Sequence, residues 1–109
     1  MEILFATTKL KELCEQQKKM QKELGNACSR KLRTRLADLA AATNVSELVA
    51  GHPHPLKGDR AGQFAVNLDG GVRLVFESAN DPTPKTQDDA IDWANVTIVR
   101  IVFIGDYHD

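Results

Sequence analysis

Gln63-Phe64-Ala65-Val66-Asn67-Leu68, Asp69-Gly70-Gly71 and Val72-Arg73-Leu74-Val75-Phe76-Glu77 form the stretch that decides the fold class. In the first run Phe64, Val66 and Leu68 alternate with Gln63, Ala65 and Asn67. In the second, Val72, Leu74 and Phe76 alternate with Arg73, Val75 and Glu77. A period of two puts the two sets on opposite faces of a strand, and Asp-Gly-Gly supplies the positive-φ residues a tight hairpin needs. The spacing predicts a β-hairpin.

Downstream, Val96 to His108 carries the strongest strand signal in the chain, because most of it up to Ile104 is β-branched or aromatic. Its nearly continuous apolar character predicts an interior strand covered on both faces. Ala79 to Asn95, with Pro82, Pro84, Trp93 and four acidic residues, shows no period and reads as an exposed excursion. Upstream, Ile3-Leu4-Phe5 reads as an opening strand, and Thr7 or Thr8 can cap a helix. Leu10, Leu13, Cys14, Gln17, Met20 and Leu24 then fall on one helical face until Gly25-Asn26. A second helix starts near Ala27 to Ser29 and buries Leu32, Leu36, Leu39 and Ala40. Asn44 to Arg60 reads as a connecting loop, with a short turn at Ser46 to Val49. The order β-α-α-β-β-β predicts an α+β fold, a helical hairpin on one face of a small, mostly antiparallel sheet. The opposite face is left for a site.

The chain has 109 residues, 42% of them hydrophobic, enough for one modest core and one domain over 1–109. Met1 to Ala6 is too short and too lightly charged for a secretory signal, and no apolar run nears the ~20 residues that span a bilayer. A cytoplasmic protein with no membrane partner is expected. Cys14 and Cys28 fall within helical patterns and read as small buried side chains, so no metal or cofactor is called for. Net charge is −1, yet residues 1–60 carry eleven Lys and Arg against seven Asp and Glu, and residues 61–109 three against eight. A basic surface attracts phosphates locally even on a neutral protein, so the balance permits RNA binding without requiring it.

Lys57, Arg73 and His108 suit phosphodiester chemistry if they converge. Cations stabilise charge developing on phosphoryl oxygens, and an imidazole moves a proton near neutral pH. Arg73 and the even-numbered residues of the last strand can share the face turned from the helices. Each has a plainer reading. Lys57 and Arg60 read equally as solvated loop charges, Arg73 as a snorkelling side chain or a partner for Glu77, and His108 as tail. His52 and His54 read as part of a rigid loop, with no third metal ligand nearby.

His54-Pro55-Leu56-Lys57-Gly58-Asp59-Arg60-Ala61-Gly62-Gln63, the strand Val72 to Phe76 and the closing Asp106-Tyr107-His108 occur in an order that resembles the HigB-like killer proteins of the RelE/ParE toxin superfamily. The resemblance spans most of the chain. It implies a RelE-like fold and the toxin of a type II toxin–antitoxin system, a ribosome-dependent mRNA endoribonuclease needing no metal. It further implies catalytic roles for Lys57, Arg73 and His108, substrate contacts from Arg60, Asn67, Asp106 and Tyr107, and two partners: a cognate DNA-binding antitoxin and mRNA on the ribosome. The rival is a non-catalytic binding protein on the same fold, a killer suppressor or a ParE-like inhibitor of a protein target. Asn67 and Glu77 stand where many relatives carry positive charge.

Overall fold

In the computed structural model, which describes residues 1–107, β1 (Glu2–Phe5) leads into α1 (Thr8–Glu15) and α2 (Gln17–Ala41). β2 (His54–Pro55), β3 (Gln63–Asn67), β4 (Val72–Ser78) and β5 (Ile98–Asp106) follow. The strands make one sheet in the order β1-β5-β4-β3-β2. β1 runs parallel to β5 and every other neighbouring pair is antiparallel.

The expected hairpin is present, with Phe64 opposite Phe76 and Asn67 opposite Arg73. The final strand is interior, as its apolar run predicts, but shorter than Val96 to His108. Val96 follows a 3-10 turn, Trp93–Asn95, and is buried there ahead of the strand. His108 lies outside the described residues.

The helices lie on one sheet face. Leu13, Met20, Cys28, Leu32 and Leu39 pack into one cluster with Phe64, Val66, Leu74, Phe76, Val99 and Ile101. Thr7 caps α1, its hydroxyl accepting from the Leu10 N–H at 3.1 Å. Two boundaries differ from expectation. The first helix does not run unbroken to Leu24: Gln16 is extended (φ −109°, ψ 105°) and ends α1. Gly25 is non-helical (φ 79°, ψ 172°), but helix resumes at once, so the expected turn shrinks to one residue that only glycine adopts cheaply. The Met1 main-chain nitrogen donates to the carbonyls of Leu39, Ala40 and Ala42, which ties the end of α2 to the start of β1. Burial pushes the Cys14 thiol up from 9.0 to about 12, helped by the Glu15 carboxylate beside it.

The connecting loop and the excursion are more ordered than their composition suggests. His54 and Pro55 form a two-residue edge strand against Ala65 and Phe64. In the excursion Trp93 packs on Phe64 with ring centroids 4.9 Å apart, and Ile91 joins the core cluster. The Asn80 side chain accepts from the Thr97 and Ile98 N–H groups, pinning the first residues of the excursion to the start of β5. No helix among the described residues is long and apolar enough to cross a membrane.

Candidate functional site on the helix-free sheet face

Three rows of side chains cross the face turned away from the helices. One is Gln63–Glu77–Arg100, one is Ala65–Val75–Phe103, and one is Asn67–Arg73–Gly105. A register shift between Val75 and Phe76 leaves Val102 as an extra residue in β5. This bulge reverses the strand's alternation. Before it, odd-numbered Val99 and Ile101 face the helices; after it, Ile104 packs with that core while Phe103 and Tyr107 join the opposite face. The expectation that even-numbered residues of β5 share a face with Arg73 holds before the bulge, at Arg100, and is corrected past it, where Phe103 and Gly105 take that face. An added Cβ on Gly105 would lie 2.8 Å from Phe103 Cζ, so the ring leans across the glycine.

The chain between β2 and β3 folds over this face. The Leu56 N–H donates to the Gln63 carbonyl at 2.9 Å, and the Leu56 side chain packs on Ala65, Val75, Val102, Phe103 and Tyr107. A 3-10 turn, Gly58–Arg60, then projects two cations differently. Lys57 is exposed. Arg60 turns inward, its guanidinium carbon 4.5 Å from the Phe103 centroid and 4.6 Å from that of Tyr107, and it donates to Gln63 Oε1 at 3.3 Å.

Arg73 stands between Asn67 and Gly105. One of its terminal guanidinium nitrogens is buried and has no hydrogen-bond partner among the described residues; the same holds for Asn67 Oδ1. Two neighbouring buried polar groups left open in this way need a partner from outside the protein or forgo the full value of a hydrogen bond. Glu77 does not pair with Arg73, one of the plainer readings of that arginine; it pairs across the strands with Arg100 at 2.9 Å, both partly exposed. Asp106 is in register with Val72 and leans on Gly71, so it stands on the opposite side of the strand from Arg73. His54 Nδ1 lies 2.7 Å from the His52 carbonyl, and the two rings are 4.8 Å apart.

The structure therefore gathers Arg73, Asn67, Arg60 and Tyr107 on one face and sets exposed Lys57 on the segment that covers it. His108 lies outside the described residues. Phe103, Arg100 and Gln63 belong to this face and were not singled out in the sequence. Phe103 was hidden by the bulge, and Arg100 by its place inside an apolar run.

A wider support reaches this site from α2. Arg35 donates to Asp38 at 2.9 Å and its Nε lies against Gly51, whose carbonyl accepts the Asn67 N–H at 2.6 Å. Gly51 (φ 85°) leaves no space for a side chain: a Cβ there would be 2.8 Å from Arg35 Nε and 3.1 Å from the Asn67 carbonyl oxygen.

No family model and no curated protein matches this chain. Solved structures do. A YoeB/ParE toxin from Agrobacterium tumefaciens superposes with a TM-score of 0.63 at 12% identity, over 99% of this chain and all of that one. A YoeB–YefM complex from Staphylococcus aureus gives 0.60 at 15%, and a YoeB dimer from Staphylococcus aureus 0.57 at 16%, each covering 100% of this chain and 98% of the other. At these identities the likeness is one of fold, and the chain has the α+β fold of these toxins.

Proposed function

We propose that the chain is the toxin of a type II toxin–antitoxin pair and cuts messenger RNA on the ribosome, without a metal. The observation that carries this reading is the open guanidinium nitrogen of Arg73 beside Asn67 on the helix-free face, where a phosphate oxygen would supply the missing acceptor. The fold shared with YoeB toxins and the order of the Lys57, Arg73 and His108 motifs support it.

In this mechanism the ribose 2′-OH attacks the adjacent phosphorus while the bond from phosphorus to the 5′-oxygen breaks. The products are a 2′,3′-cyclic phosphate and a free 5′-OH. His108 carries the proton between the two oxygens, and Lys57 and Arg73 balance the charge that grows on the non-bridging oxygens. Tyr107 stacks on a base and Asn67 contacts the substrate, whereas Asp106, on the other side of β5 from Arg73, takes no part in this contact. A small DNA-binding antitoxin masks the face between cleavage events.

The rival, a non-catalytic binding protein, is favoured by the Glu77–Arg100 pair, which neutralises two charges on this same face. Expressing the chain without its partner and mapping RNA 5′ ends separates the two. The nuclease reading expects growth arrest and new ends within translated messages, and His108→Ala should lower cleavage about 10²- to 10⁴-fold while antitoxin binding survives. A folded wild-type protein that binds a partner but cuts nothing supports the rival.

A further inference from the structure

We infer that Arg60 is a positioning residue: its guanidinium, held between Phe103 and Tyr107, docks the Tyr107 ring on the helix-free face. The geometry is specific. Its central carbon is nearly equidistant from the two ring centroids, at 4.5 and 4.6 Å, and the rings meet edge to face with centroids 6.0 Å apart. A cation within ~6 Å of a ring face is attracted by the ring quadrupole. Arg60 forms no ion pair among the described residues, and its hydrogen bond is a long one to Gln63.

The surroundings explain why a clamp is needed here. β5 ends at Asp106, so Tyr107 lies beyond the sheet ladder. Its ring is held by packing on Phe103 and the Leu56–Ala65–Val75 cluster and by the cation above it. The turn Gly58–Arg60 follows Leu56, which is buried in the cluster that Tyr107 packs against, and Arg60 bridges two segments that share no backbone ladder. The cation–π contact with Tyr107, at a partly exposed site, favours the docked ring about 2- to 5-fold. Loss of the cation lowers docking by that factor. Only the consequence for turnover rests on the nuclease reading.

Tyr107 is the single tyrosine of the chain, which makes the test direct. Protein labelled at tyrosine and arginine is compared by NMR, without RNA, for wild type, Arg60→Lys and Arg60→Met. The expected result is a rigid Tyr107 and a ring-shifted Arg60 Nε–H in wild type, a loosened Tyr107 in Arg60→Met, and an intermediate state in Arg60→Lys, which keeps the charge but not the planar stack. Equal order in all three overturns the inference. Should Arg60→Met fail to fold, Phe103→Leu removes one ring of the clamp with Arg60 intact and must loosen Tyr107 as well. In the cleavage assay Arg60→Met should lower kcat by up to the same ~2- to 5-fold with KM changed less than about 1.5-fold, and Arg60→Lys should restore part of it. A raised KM at unchanged kcat would make Arg60 a direct substrate contact and reject the positioning role. If wild type cleaves nothing, the nuclease reading fails, and the NMR comparison still decides the clamp.

Discussion

The two faces of the sheet obey different rules. Against the helices, Phe64, Leu74, Phe76, Val99 and Ile101 are buried and apolar throughout. On the other face the same strands present Gln63–Glu77–Arg100 and Asn67–Arg73–Gly105 around a small patch of Ala65, Val75 and Phe103. One face carries the burial that stabilises the fold. The other keeps polar groups at fixed spacing with some of their hydrogen-bonding capacity open, an arrangement that adds little stability and leaves room for a ligand.

If that division holds, Phe76→Ala has the largest effect on stability. Phe76 is fully buried and its ring lies 5.5 Å from that of Phe64, so truncation should cost about 3–5 kcal/mol, read from urea unfolding. A loss below ~1 kcal/mol would mean that the helix-covered face is not the main core. Gly51→Ala comes next, because Gly51 links the faces: Arg35 presses on it from α2 and its carbonyl holds Asn67. The positive φ and the absent space predict a cost of about 1–3 kcal/mol, together with a shift of the Asn67 amide resonance. A stable variant with an unmoved Asn67 would show that the site does not lean on the helices.

The smallest effect is expected from Glu77→Gln. The Glu77–Arg100 pair is partly exposed, so unfolding should change by less than about 1 kcal/mol. Releasing Arg100 should nevertheless strengthen binding to single-stranded RNA and steepen its salt dependence by about 0.7 in log–log slope for one added phosphate contact. An unchanged slope would place Arg100 away from any RNA path.

The hairpin of β3 and β4 was legible in the sequence nearly to the residue, because alternation and turn chemistry point the same way there. The helices were legible as faces but not as boundaries. Gln16 is an ordinary helix former by composition, and nothing local marks it as the end of α1. The site was legible as residue types and only partly as geometry. Inserting Val102 into β5 moves Phe103 and Tyr107 onto Arg73's side, yet Val102 and its neighbours are all good strand formers, so a bulge leaves no mark on composition. Trp93 was hidden for a different reason. It sits in a segment rich in Pro and Asp, where a single anchoring side chain does not alter the period.

The parallel pairing of β1 with β5 joins the first strand of the chain to the last, Glu2 opposite Ile98. During synthesis β1 and β4 each wait for the neighbour that separates them, and that neighbour is translated after both. Closing so long a loop comes before any contact in β5 can offset it, which slows folding relative to local topologies. Phe103, Gly105 and Tyr107 are all supplied by β5 or the residue after it. The helix-free face is therefore completed only after β5 has left the ribosome, and a nascent chain that stops short of it carries no finished version of that face.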